Sequence, residues 1–165
     1  MMKIVNQLNW DLDRIFHGGS KSHQFLKHLT ELDVLIQNLE KSVASFRATI
    51  TTDELASLNQ LVENIEEIRV NLTEANSFIT CLISQNTNDQ DAVVLRGKVA
   101  QLESHFEKEL SKVKVMLANT NQEVWDQLIE TKEIEAFRFV LNEWRNHTNK
   151  HVSEEERNLI TELTA

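Results

Sequence analysis

Proline is absent from this chain of 165 residues, and glycine occurs only three times, twice as the adjacent pair Gly18-Gly19. β-Sheet proteins need frequent tight turns, and proline and glycine are the residues that most often form them. A chain so poor in both residue types is restricted to long helices joined by few connections, because nothing interrupts helix propagation over long stretches. The sequence therefore predicts an all-α fold.

Apolar residues recur at alternating steps of four and three in the first third of the chain, which places them along one face of a helix. They are Phe25, Leu29, Leu32, Ile36, Leu39, Val43 and Phe46. An earlier apolar segment, with Trp10, Leu12, Ile15 and Phe16, is broken by Gly18-Gly19. Either Ser20 or Ser22 can then cap the helix that follows. We expect residues 1–19 to form an irregular opening segment and the first long helix to follow it.

Two further long segments carry the same periodicity. The β-branched residues 49–52 resist helix continuation, and Thr51 with Glu54 has the spacing of a capping box, so the second helix is expected over about 52–84. The polar stretch 85–89 separates it from a third helix that ends near Leu117. Its predicted inward-facing residues are Val93, Val99, Leu102, Phe106, Leu110, Val113 and Leu117. In the second helix they are Leu55, Leu58, Leu61, Ile65, Ile68, Leu72, Ala75, Phe78 and Leu82.

Shorter helices are expected towards the C-terminus, over Gln122–Glu130 and from Ile134 to about Trp144. Ser153 and Glu156 then have capping-box spacing, which predicts one more helix start. The chain stops at Ala165, about three turns into the apolar stripe of that helix, so we interpret it as a fragment cut within its last helix. The alternative is a short final helix that docks on the bundle.

Short connections between long helices make consecutive helices antiparallel. The predicted architecture is an elongated antiparallel bundle of three long helices, followed by two or three short C-terminal helices. Residues 20–165 are expected to form a single helical domain.

The formal net charge of −9, without any cluster of lysine or arginine, disfavours nucleic acid and anionic membranes as partners. The N-terminus becomes polar before a signal-peptide core develops, and no apolar run is long enough to cross a bilayer. The lone Cys81 cannot form an internal disulfide, and we interpret it as a small buried apolar residue. These features predict a cytoplasmic protein.

The six histidines are the first candidates for chemistry, and the spacing excludes most of them. Only His147 and His151 lie four residues apart, but Thr148 stands where a zinc peptidase helix needs glutamate. His28, with Lys27 beside it on the first long helix, is a less favoured candidate for accepting a phosphoryl group, as in phosphotransfer domains. Glycine-rich phosphate loops, serine nucleophile elbows and paired cysteines are absent from the sequence. We therefore assign no catalytic, cofactor-binding or metal-binding residue.

Four segments together resemble the N-terminal part of oligoendopeptidase F and its relatives, a thimet-oligopeptidase-like family of zinc metallopeptidases. They are NWDLDRIFHGGS at residues 9–20, SFITCLISQNTND at 77–89, EAFRFVL at 135–141 and HVSEEE at 151–156. Their order and spacing also agree with that family, and the resemblance covers nearly the whole chain. One departure is His17, where proline is common in relatives.

The resemblance implies the non-catalytic N-terminal helical lobe of a cytoplasmic zinc-dependent oligoendopeptidase that degrades short peptides. In that family an HExxH helix and a further glutamate, well downstream of this lobe, supply the metal ligands and the general base. No catalytic residue can therefore be carried over to residues 1–165, and zinc is expected in a catalytic domain outside them. The implied partners are that catalytic domain and short peptides. The alternative is a free-standing helical interaction module, and an isolated lobe could also form a homodimer through its uncovered contact surface.

Overall fold

The computed structural model describes residues 11–46, 54–132 and 134–146, and these residues form helices joined by short connections, with no β-strand among them. Four α-helices have defined bounds: α1 (His23–Ser45), α2 (Leu55–Gln85), α3 (Gln90–Ala118) and α4 (Gln122–Ile129). Three short 3-10 helices span Leu12–Arg14, Gly19–Lys21 and Glu135–Phe137. Residues 138–146 are again α-helical. The prediction of an all-α fold with three long helices is confirmed.

Side chains at the starts of the helices satisfy backbone N–H groups that have no partner within the helix. Ser22 Oγ accepts a hydrogen bond from the Phe25 N–H at 3.2 Å, so Ser22 rather than Ser20 caps α1. Asp89 Oδ1 accepts from the Ala92 N–H at 3.0 Å at the start of α3. Asn121 Oδ1 accepts from the Glu123 N–H at 2.8 Å at the start of α4. The polar stretches in the sequence therefore end one helix and start the next.

The chain divides into two compact units, and each of the three long helices contributes to both. Among the described residues, unit 1 contains those up to Ile36 together with Glu67–His105. Unit 2 contains those from Gln37 to Glu66 and those from Phe106 onwards.

The core of unit 1 joins the opening segment to all three long helices. It contains Leu12, Phe16, Phe25, Leu29, Ala75, Phe78, Ile79, Leu82, Ala92, Leu95 and Val99. Helices α1 and α2 run antiparallel here, since Phe25 lies against Phe78 (ring centroids 4.8 Å apart) and the later His28 lies against the earlier Asn71. Burial of this apolar set is the main source of stability for the unit.

Unit 2 buries apolar residues from the three long helices, from α4 and from the segment that follows α4. They are Leu39, Val43, Leu58, Leu61, Val62, Ile65, Phe106, Leu110, Val113, Met116, Leu117, Trp125, Leu128, Ile134, Leu141 and Trp144. Three polar or charged side chains are buried with them: Glu109, Thr120 and Arg145.

One predicted inward-facing residue of the third helix is wrong. Val93 is 48% exposed, whereas its neighbours Ala92 and Leu95 are buried in the unit 1 core. Residues 92–95 are all apolar, so the local sequence allows two rotations of the helix, and packing selects the one that continues through Val99 and Phe106. The opening segment contains a 3-10 turn at Leu12–Arg14, and a second one, Gly19–Lys21, precedes α1.

Several predictions fall outside the described residues. They concern Trp10, the capping role of Thr51, the pair His147 and His151, and the helix expected from Ser153. These remain predictions.

Candidate functional site

The opening segment is held in place by a turn that requires glycine. Gly18 has φ +96° and Gly19 has φ +58°, both in the left-handed region that other L-residues rarely adopt. Asp13 Oδ1 accepts a hydrogen bond from the Gly18 N–H at 2.9 Å. This geometry turns the chain back towards α1 and lets Leu12 and Phe16 enter the unit 1 core.

Phe16 anchors the segment in an aromatic cluster. Its ring centroid lies 5.1 Å from that of Phe25 and 4.9 Å from that of Phe78, with edge-on geometry in both pairs. Such pairs add about 0.5–1.5 kcal/mol each to the stability that burial already provides. The His28 ring completes the cluster at 5.3 Å from Phe16.

His28 is half-buried, which bears on its candidacy as a phosphoryl acceptor. Its ring stacks on Phe25 with centroids 6.3 Å apart, and its Nε2 lies 3.3 Å from the backbone oxygen of Asn71. Lys27 is turned to Glu31, with Nζ and Oε1 3.1 Å apart. An imidazole that packs on aromatic rings and faces a carbonyl oxygen is poorly placed to receive phosphate, so this environment disfavours phosphotransfer at His28.

A groove of about 420 Å3 runs between α1 and α2 in unit 1. Its lining residues are His28, Thr30, Glu31, Leu32, Val34, Leu35, Glu67 and Asn71. Val34 is 50% exposed, and Val70, next to the lining residue Asn71, is 65% exposed. The groove thus combines apolar walls with a carboxylate from each of the two helices, and we name it the α1–α2 groove.

The two carboxylates of the α1–α2 groove differ in their surroundings. Glu31 forms the ion pair with Lys27, and both side chains are largely exposed, so the pair is weak. The Glu67 carboxylate makes no ion pair with another residue in the described part of the chain. At neutral pH the groove therefore offers negative charge beside apolar surface, an arrangement suited to a cation on an aliphatic stem.

Two further grooves lie within single units. In unit 1 a groove of about 460 Å3 separates α1 from α3, with Leu26, Leu29 and Leu102 beside Asp33 and Lys98. In unit 2 a more apolar groove of about 560 Å3 is lined by residues that include Val43, Phe46, Val115 and Met116. Neither groove presents charges of a single sign, since lysine and acidic side chains line both.

In unit 2 a buried carboxylate pairs with a lysine whose side chain is 48% exposed, and this pair was not anticipated from the sequence. The Glu109 side chain is fully buried, and Lys112 Nζ donates to its two carboxylate oxygens at 2.7 and 2.8 Å. One signal was available, because Glu109 continues the steps of three and four through Phe106, Val113 and Met116. A charge at a stripe position predicts a buried charge that needs a partner.

Arg145 is the second buried charge of unit 2. Its Nη2 donates to the backbone oxygen of Thr120 at 2.8 Å, and its Nε is buried without a hydrogen-bond partner. Burial lowers the pKa of Arg145 from its usual value, while nearby Asp126 acts in the opposite direction. Because the free guanidinium titrates so high, the side chain stays charged at neutral pH.

The other residues considered from the sequence do not converge on one place. His17 and His23 are exposed, and His105 is half-buried. Cys81 packs against the unit 1 core as expected of an apolar residue, but it is only half-buried and not fully buried as predicted.

Comparison of this chain with family models, with curated proteins and with solved structures finds no match. Across the three described stretches, none of the helices combines the length and the apolarity that crossing a membrane requires.

Proposed function

We propose that this chain is a non-catalytic helical lobe of a zinc-dependent oligoendopeptidase similar to oligoendopeptidase F, and that it helps to wall the channel that admits short peptides. The observation that carries the proposal is the opening segment. The first of the four resembling segments is residues 9–20, and its described part, residues 11–20, forms the docked turn.

The all-α fold supports the same proposal, because a wall needs long rigid elements more than it needs a reactive group. Helices α1, α2 and α3 are 23, 31 and 29 residues long. At a rise of about 1.5 Å per residue, helices of this length span roughly 35–45 Å, comparable with a small domain. We propose that residues 20–118 form part of the wall, so that flexible peptides enter and folded proteins do not.

The residues of this chain do not fit the zinc site of that family. The sequence contains no HExxH, and His147 with His151 lacks the intervening glutamate. The metal and the general base would therefore come from another part of a longer protein. What this lobe contributes is the shape of the channel and, on closing, the exclusion of bulk water from the bound peptide.

The first test is to read the coding sequence past Ala165. A downstream HExxH helix in the same reading frame is the expected result. A stop codon directly after Ala165 would defeat the proposal and leave a free-standing helical interaction module.

The second test compares the complete protein with a variant that lacks residues 20–118, using a capped octapeptide and casein as substrates. The expected result is that the variant keeps hydrolysing the octapeptide and gains activity on casein. Circular dichroism and zinc content confirm that the catalytic part of the variant is folded. If casein is still excluded by a folded variant, these residues do not select substrates by size.

One observation is compatible with both the peptidase lobe and the alternative, an interaction module. Val70, Val94 and Phe139 are 65%, 61% and 76% exposed. A partner surface on either kind of protein would cover such residues, so their exposure alone does not separate the two functions. The coding sequence does.

A further inference from the structure

We propose that the α1–α2 groove of unit 1 binds a lysine or arginine side chain that is followed or preceded by an apolar residue in a peptide segment. This assignment goes beyond the proposed function and does not depend on it, because it concerns binding and not hydrolysis. It is carried by the position of two carboxylates on facing walls of one apolar groove.

The walls match the two ends of such a side chain. Leu32, Val34 and Leu35 of α1 line the groove and offer apolar surface to the methylene stem. Glu31 and Glu67 stand on opposite helices and offer oxygens to the charged head. Long cationic side chains bury their stems along apolar surface and keep the charge near acceptors or water, which is the arrangement found here.

The charge balance in the groove favours an incoming cation. The groove is lined by two acidic side chains, Glu31 and Glu67, and by no lysine or arginine. Lys27 offsets Glu31 only through an exposed contact at 3.1 Å, which solvent screens. A guanidinium or ammonium between the helices would contact Glu67 and share Glu31 with Lys27, so it would bind without displacing a buried group.

Two exposed valines near the groove are the reason for proposing an apolar residue next to the lysine or arginine of the peptide. Val70 follows Glu67 by three positions on α2 and Val34 follows Glu31 by three on α1, so each carboxylate has an exposed valine one helical turn away. A residue beside the cation in an extended or helical peptide would cover one of these valines. A volume of about 420 Å3 suits a few side chains and not a whole domain.

Charge also selects against a second copy of this chain as the occupant. The net charge of −9 makes two copies repel each other, and the repulsion is greatest where one copy presents carboxylates. A cationic segment of a different peptide avoids this cost.

The test is a titration of the isotope-labelled chain with the capped pentapeptide Ala-Lys-Leu-Arg-Ala, followed by backbone amide chemical shifts. Shifts are expected for residues 27–35 and 67–74, and the pentapeptide Ala-Gln-Leu-Gln-Ala should produce none. The double variant E31Q/E67Q should raise Kd about fivefold, the change expected for two solvent-screened ion pairs.

The matched control is E103Q/E107Q, which removes the same charge from exposed positions on α3 and should leave Kd unchanged. An equal rise in Kd for both double variants, or shifts spread over the whole acidic surface, would overturn the proposal by showing attraction to net charge alone. All four positions are exposed, so thermal unfolding should report folded proteins throughout. A dimer in sedimentation that E31Q/E67Q alone dissociates would also overturn it, because a second copy would then occupy the groove.

Discussion

The guanidinium of Arg145 lies over the ring of Trp125, with its central carbon 4.5 Å from the ring centroid. Arg145 belongs to the last described helical stretch, and Trp125 belongs to α4. The same guanidinium donates to the backbone oxygen of Thr120, in the connection between α3 and α4. One side chain therefore ties three consecutive parts of unit 2 together, by a stacked cation and a charge-assisted hydrogen bond.

We predict that Arg145→Lys lowers the free energy of unfolding by about 2 kcal/mol, because lysine keeps the charge but loses the planar contact with Trp125. Urea unfolding followed by tryptophan fluorescence measures the change. Arg138→Lys is the matched control. Arg138 also donates to a backbone oxygen, that of Ile129 at 2.7 Å, but it is exposed, so its replacement should cost less than about 0.5 kcal/mol. Equal losses for the two variants would contradict the structural role of the stacked pair.

Because Glu109 is buried, we expect the free energy of unfolding to depend strongly on its partner Lys112. Lys112→Met should lower the free energy of unfolding by about 1–3 kcal/mol, because it leaves a buried carboxylate without its cationic donor. Replacing both residues, in Glu109→Met with Lys112→Met, should recover most of that loss, since the buried carboxylate is then removed together with its partner. A double-mutant cycle in urea at pH 7 measures the coupling. A neutral Lys112→Met variant would show that Glu109 does not depend on this pair.

Docking of the opening segment is testable through two adjacent residues. Phe16→Ala should destabilise the protein by about 3 kcal/mol, since a buried ring is lost between Phe25 and Phe78. Ile15→Ala should cost less than about 1 kcal/mol, because Ile15 is 50% exposed. Thermal and urea unfolding of the two variants measure the difference. Comparable losses would mean that the segment is not held by Phe16.

Replacing Gly18 should destabilise the protein through its backbone conformation and not through a steric clash. A Cβ at this position would lie 3.5 Å from Ser22 Cα, an ordinary contact, but φ is +96°. Gly18→Ala should therefore lower the free energy of unfolding by about 1–2 kcal/mol, the cost of the left-handed conformation for an L-residue. Gly18→Asn should cost less, because asparagine tolerates that region better. The order of the two losses in urea unfolding is the measurement, and the reverse order would refute the turn geometry.

At Gly97 we expect replacement by alanine to raise the free energy of unfolding, the opposite of its effect at Gly18. It lies inside α3, and an added Cβ would meet nothing within 4 Å. Gly97→Ala should raise the free energy of unfolding by about 0.5–1 kcal/mol, because alanine restricts the unfolded chain and favours the helix. Ala100→Gly, at an exposed position of the same helix, should lower it by a similar amount. Calorimetry of the two variants tests both expectations. Destabilisation by Gly97→Ala would contradict the open space that the structure shows around a Cβ at this position.

The local parts of the fold were predictable because they depend on neighbours in the sequence. Steps of three and four define a helical face, and serine, aspartate and asparagine supply the caps, so the existence and approximate bounds of α1, α2, α3 and α4 follow from the sequence. The candidate site was not predictable in the same way. Glu31 and Glu67 are 36 positions apart, and nothing in either surrounding segment indicates that the two side chains line one groove.

What the sequence by itself determined is therefore the helical class and the succession of helices, since hydrogen bonding within a helix and its apolar periodicity are short-range properties. Only the tertiary structure decided that α3 buries Ala92 and exposes Val93, that Glu31 and Glu67 line one groove, and that Arg145 covers Trp125. The physical reason is that the rotation of a helix and the partners of a charge depend on how much surface all the packed elements together remove from water. That total cannot be read from any single segment of the sequence.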